Sequence, residues 1–117
     1  MNMEPELCRV DDALDIIVGK WKAVIILNLL SNGTMRFNEL KRSIPNITQK
    51  MLTKHLRELE ADDIVHREVY PEVPPKVEYS ITEYGKELEP IMISMHEWGT
   101  KHHRRKLQKL ADAVMTK

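Results

Sequence analysis

A single cysteine, Cys8, stands in the 117 residues. No intrachain disulfide can form, which excludes a disulfide-held secreted scaffold. Aromatic residues make only 5% of the chain, while methionine occurs seven times. The core must therefore be built mostly from aliphatic side chains. Net charge is zero, so the bulk positive excess of a non-specific, architectural DNA binder is missing. The best apolar run, Ala23 to Leu30, is broken by Asn28 and falls far short of a membrane span. The opening dozen residues hold neither an apolar stretch nor a basic leader, so no signal peptide is expected and a cytoplasmic location is. There is no glycine-rich phosphate loop and no nucleophile–base–acid constellation. His96, His102 and His103 are joined by no Asp, Glu or Cys in a recognisable ligand motif. They read as surface or interface histidines. Neither an enzyme, a cofactor nor a metal is expected.

What is present is unevenly placed. Between residues 36 and 57 six bases, Arg36, Lys41, Arg42, Lys50, Lys54 and Arg57, face one acid, Glu39. Residues 58 to 63 then carry Glu58, Glu60, Asp62 and Asp63 with no base, and the first fifteen residues are acidic. A basic segment inside a balanced chain suits a groove-facing surface, because the distribution of charge matters more than its sum.

The patterning is mainly helical. Asp11 or Asp12 can cap a first helix with an apolar face through Ala13, Leu14, Ile16, Ile17 and Val18, ended near Gly19. A second helix starts at Trp21. It is apolar on nearly all sides and reads as the buried centre, stopped at Ser31-Asn32-Gly33. Met35 to Phe37 is an extended link, and Phe37, Leu40 and Ile44 have helical spacing. After the Pro45-Asn46 turn, Thr48 can cap an amphipathic helix with Leu52, Leu56 and Leu59 on its core line. Two short helices and a tight turn, the second helix basic, make a helix-turn-helix. Ile64–Tyr70 and Val77–Ile81 read as strands around a proline-rich loop, since Pro74 and Pro75 cannot donate to a ladder. This hairpin is the wing. Thr82 is expected to cap a last helix beginning at Glu83, with Pro90 marking either a kink or a helix boundary. The tail continues in helical spacing through Leu107, Leu110 and Val114.

Particular strings narrow the reading. Val18-Gly19-Lys20-Trp21, Met35-Arg36-Phe37-Asn38-Glu39-Leu40, Ile47-Thr48-Gln49-Lys50-Met51-Leu52-Thr53, Leu56-Arg57-Glu58-Leu59-Glu60, Val73-Pro74-Pro75-Lys76-Val77-Glu78-Tyr79 and Thr82-Glu83-Tyr84-Gly85 occur in this order. With them the chain resembles the HxlR-type bacterial regulators, relatives of the MarR-like winged helices, from Cys8 to about Trp98. It departs from them at Val18-Gly19, where a glycine pair is common, and at Asp63, where glycine is preferred. Asp63 then occupies a place that favours positive φ, which Asp tolerates better than most residues. The resemblance implies a mainly α fold with a small β hairpin, a winged helix-turn-helix with N- and C-terminal dimerisation helices. It implies one domain over residues 1–117, of which 99–117 are a helical extension. It also implies a homodimeric regulator of transcription acting on double-stranded operator DNA, read here as a repressor.

The site residues follow. Thr48, Gln49, Lys50, Thr53 and Lys54 are the major-groove candidates, because Lys and Gln can hydrogen-bond base edges and Thr adds a methyl contact. A plain solvated helix face is the alternative. Arg36, Lys41, Arg42 and Arg57, with Arg67 and Lys76 from the wing, are placed for the phosphate backbone. Arg67 has the alternative of pairing with Glu68 or Glu78. Leu14, Ile17, Ile91, Met95 and Trp98 are the dimer-interface candidates. An aromatic ligand pocket between dimer helices is the other use of Trp98 and Met95. Cys8 reads either as a thiol switch, answering oxidants, electrophiles or a small effector at the dimer interface, or as a small packed side chain. The competing function is a winged-helix adaptor for other proteins that has lost specific DNA binding.

Overall fold

The computed structural model describes residues 9–17 and 19–115. Cys8 lies outside the described residues. The chain divides into two units, one up to Lys86 and one from Glu87.

In the first unit the elements are α1 (Val10–Ile17), α2 (Lys20–Asn32), β1 (Met35–Arg36), α3 (Phe37–Ser43), α4 (Gln49–Ala61), β2 (Val65–Tyr70) and β3 (Lys76–Ile81). Gly33 ends α2 at φ 73, with its N–H on the Leu29 carbonyl. A side chain would be strained at that φ, which is why glycine stops the helix here. Between α3 and α4 the chain reverses at Asn46, φ 71, another residue type that visits the left-handed region. Thr48 then caps α4 by accepting from the Met51 N–H at 3.1 Å.

Leu52, Leu56 and Leu59 are buried as the spacing requires, together with Leu40, Ile44 and Ile64. α2 differs from the expectation. It buries one face only, Ile25, Ile26 and Leu29, and Leu27 stays 39% exposed. Its neighbours in this unit, α1, α3, α4 and β3, do not surround it.

β1, expected as a link, is the third strand of an antiparallel sheet ordered β1-β3-β2. Met35 pairs with Tyr79 and Arg36 with Glu78. Along β2 and β3 the register sets Val65 opposite Ile81, Arg67 opposite Tyr79, Glu68 opposite Glu78 and Tyr70 opposite Lys76. Side chains alternate between faces. Val65, Arg67 and Tyr79 therefore share the inner face, where Val65 and Tyr79 are buried. Glu68, Tyr70, Lys76, Glu78 and Arg36 share the outer one.

The junction after the wing corrects a second expectation. Thr82 does not open an α-helix at Glu83. It closes a 3-10 turn, Gly85–Leu88, by accepting from the Gly85 N–H at 2.8 Å, and its hydroxyl donates to the Asp63 carbonyl at 2.6 Å. Asp63 itself has φ 62, as expected. Leu59 accepts from the Ile64 N–H at 2.9 Å and Ile64 accepts from the Thr82 N–H at 3.0 Å. The end of α4 and both wing strands are thus tied into one knot.

The second unit is α5, Glu89–Met115, about 40 Å long at 1.5 Å per residue. Pro90 marks a helix boundary and not a kink: it occupies the first turn, where its missing N–H breaks no helical bond. Among the described residues no helix is long and apolar enough to cross a membrane.

Candidate nucleic-acid interface

The outward face of α4 follows from its core line. With Leu52, Leu56 and Leu59 turned inward, Lys50, Lys54 and Arg57 fall at i, i+4 and i+7 on the opposite side. All three are exposed, and none makes a salt bridge among the described residues. Gln49, the first helical residue, is exposed beside them, and Thr53 is half-buried on the flank. These five line one shallow surface with Glu58. Thr48 is exposed, but its oxygen is committed to the Met51 N–H.

The backbone candidates divide. Lys41 and Arg42 are exposed in the last turn of α3, where cations also suit the helix C-terminus. Arg36 is exposed, and its N–H donates to Glu39 Oε1 at 2.8 Å. Its register partner on the outer sheet face is Glu78. Lys76 shares that face: its Nζ lies 3.7 Å from Glu78 Oε2 and 5.0 Å from the centre of the Tyr70 ring. Glu78 also receives the Tyr70 hydroxyl, which holds the Tyr70 pKa above its ordinary value. Arg67 is exposed on the inner face and pairs with neither Glu68 nor Glu78; those acids take His66 and Lys76.

Of the interface candidates, Ile17 is buried and Leu14 is 40% exposed. On α5, Ile91, Met95 and Trp98 are 48%, 50% and 64% exposed and border one apolar groove with Pro90 and Ser94. Their i, i+4, i+7 spacing makes them a single face. The ring of His102 stacks on Trp98 with centroids 4.9 Å apart. Among the described residues no three His, Cys, Asp or Glu side chains are grouped to hold a metal.

Sequence reasoning missed the anchor behind α4. Lys22 of α2 is largely buried, and its Nζ lies 2.8 Å from Glu58 Oε2. The pair ties α2 to α4, and the Lys22 hydrogen bond holds the Glu58 pKa below the ordinary carboxylate range. No local signal marked the pair, since Lys20 stands two residues before Lys22 and Glu58 opens an acidic run. His55 lies against this pair, its Nδ1 buried without a hydrogen-bond partner and 3.9 Å from Glu58 Oε2. Burial pushes the His55 pKa down; Glu58 opposes the shift, and Lys22 and Lys54 add to it.

A pH dependence follows. The folded chain keeps His55 neutral where the unfolded chain takes a proton, so stability falls as pH drops below the ordinary value of 6.5. The Glu58 contribution is present above 4.5 and is lost only as pH falls through its lower folded value. Replacing His55→Leu should therefore flatten the loss on the near-neutral side and leave the more acidic one. Urea melts at pH 7.5, 6.0 and about 3.5, the last below the ordinary Glu58 value of 4.5, check this. A slope between the first two that matches the wild type refutes it.

Comparison with known proteins matches this architecture. The model of the family described as HxlR-like helix-turn-helix matches residues 16–107. YybR of Bacillus subtilis, an uncharacterised HTH-type transcriptional regulator, is 60% identical over 94 residues, which span 80% of this chain and 74% of YybR. Among solved structures, the redox regulator HypR in its reduced form is 56% identical with a TM-score of 0.78, over 82% of this chain and 94% of that one. Its oxidised form is 58% identical with a TM-score of 0.74, over 80% and 96%. The chain belongs to the HxlR-like helix-turn-helix family, and is by that membership a DNA-binding regulator of transcription and not an enzyme.

Proposed function

We propose that this regulator is a homodimer that reads a specific operator with α4 and represses transcription from it. The observation that carries the reading is the outward face of α4, where Lys50, Lys54 and Arg57 stand exposed without salt bridges beside Gln49 and Thr53. An adaptor for other proteins has no need of cations concentrated there. Lys50, Lys54, Gln49 and Thr53 meet base edges; Thr48 contributes through its methyl group, since its oxygen serves the cap. Arg36, Lys41, Arg42 and Arg57 hold phosphates, with Arg67 as the wing's contribution. Lys76 is the weaker wing contact because Glu78 and Tyr70 already engage it.

The exposed face of Ile91, Met95 and Trp98 supports dimerisation, since a contiguous apolar groove left in water marks a contact surface. Leu14, partly exposed on α1, is a separate dimer contact in this reading; Ile17, already buried, serves the chain's own core. The whole chain then works as one reading module with a helical extension. Cys8 makes the dimer responsive to oxidants or electrophiles. HypR, solved in oxidised and reduced forms and described as a redox regulator, supports that assignment.

Selection of bound fragments from random and genomic DNA by the reduced protein tests the reading. A palindromic site with half-sites roughly 34–36 Å apart is expected. Binding that ignores sequence and vanishes with modest salt would sink it in favour of the adaptor. Cys8→Ser is expected to keep this binding and lose its sensitivity to a thiol oxidant; equal oxidant sensitivity in both proteins excludes Cys8 as the switch.

A further inference from the structure

A cleft between α4 and the inner face of the wing is bordered by Thr53, Leu56, Arg57, Glu60, Arg67 and Tyr79. Thr53, Leu56, Arg57 and Glu60 recur at i, i+3, i+4 and i+7 and form one edge of α4. Arg67 comes from the opposite wall, set beside Tyr79 by the strand register. The cleft holds about 230 Å³, room for a phosphate group and several waters at about 30 Å³ each. Neither arginine makes a salt bridge among the described residues, with Glu60 or any other acid.

Two guanidinium groups on one small cleft repel each other. Arginine does not relieve that by losing a proton, and neither group is ion-paired with Glu60, so an anion placed between them is favoured. The planar guanidinium fork matches phosphate oxygens in pairs. The walls are also fixed in advance. The Ile64 N–H is held by Leu59 at the end of α4, and the Thr82 hydroxyl ties the end of β3 to Asp63. Arg57 and Arg67 are thus presented together and not recruited separately.

The geometry points to a single phosphate of the bound duplex clasped jointly by Arg57 from the reading helix and Arg67 from the wing. This rests on the DNA-reading function proposed above and deepens it. Glu60 in the same cleft opposes the anion and limits its hold, which weakens binding to phosphates presented in the wrong geometry. Lys76 lies on the other face of the hairpin and takes no part.

The test is a double-mutant cycle of Arg57→Ala and Arg67→Ala, titrated against the selected operator over a range of salt. If both arginines hold one phosphate, each single change weakens binding by about tenfold per half-site, and the double change does little more than either. The slope of log affinity on log salt falls by about 0.9 per half-site in all three variants, since one phosphate contact is lost. Glu60→Gln should tighten binding several-fold. Thermal melts should show all variants folded, because both arginines are exposed. Losses that multiply to about a hundredfold per half-site, with a slope change of about 1.8 per half-site in the double variant, overturn the shared phosphate and leave the DNA-reading function standing. No duplex binding by the wild type overturns both.

Discussion

Alanine at both Lys50 and Lys54 is expected to weaken operator binding by at least about 100-fold in physiological salt. Each lysine is exposed on the outward face of α4, and a good contact to a base edge is worth about 1–3 kcal/mol. At 1.4 kcal/mol per factor of ten, two contacts at the lower-middle of that range reach the stated loss in one half-site. The proposed dimer carries each change twice, so about 100-fold is the lower bound on the measured loss. Stability should hardly move, since surface changes of this kind stay within about 0.5 kcal/mol. The salt dependence separates the roles. If the lysines read bases, the slope is nearly unchanged and discrimination relaxes at defined positions of the operator. If they neutralise phosphates, affinity falls alike for all sequences and the slope drops by about 0.9 for each. Anisotropy titrations against the operator and a scrambled duplex give both quantities. A double variant that binds the operator as tightly as the wild type removes α4 as the reading helix.

Why α4 could be foreseen and its surroundings could not has a physical basis. Its core line, Leu52, Leu56 and Leu59, repeats at the helical period, and Thr48 offers the cap. Both are local signals, so the outward face followed by subtraction. The wing loop was equally plain, because prolines cannot join a ladder. The left-handed place at Asp63 was visible from a substituted glycine. β1 was hidden, since two residues display no period, and their strand character comes from Tyr79 and Glu78 far along the chain. The division of Arg67 from Lys76 was hidden for a related reason. A strand's face depends on register, and a slip of one residue exchanges the faces. Without the pairing of Arg67 with Tyr79, the two cations looked equivalent. Lys22 and Glu58 are joined only by the packing of α2 on α4.

Gly85→Ala is expected to be the most damaging small substitution in the reading unit, lowering stability by about 3 kcal/mol. Conformational freedom is not the reason, because Gly85 is not among the residues with positive φ. The reason is space. A Cβ there would stand 2.5 Å from the Ile64 carbonyl oxygen, 2.9 Å from Ile81 Cγ2 and 3.2 Å from Thr82 Oγ1. The first neighbour is backbone and cannot rotate away. It is also engaged, since Ile64 O accepts from the Thr82 N–H. Added methyl groups in packed sites cost about 1–3 kcal/mol when side chains can shift; here a backbone hydrogen bond must move as well, which puts the loss at the upper end. At roughly 4 °C per kcal/mol, the melting temperature should fall by about 12 °C. The strain falls on the knot that joins α4 to the wing. DNA affinity measured well below the melting point should therefore fall too, through the misplacement of Arg67 relative to Arg57. Thr82→Val, which removes the hydroxyl linking Asp63 and Gly85 without adding bulk, separates the two effects. It should reproduce much of the affinity loss with a smaller change in melting temperature. If Gly85→Ala melts like the wild type, the close approach at Ile64 is not a constraint on the fold; if it melts low but binds normally, the knot does not position the wing.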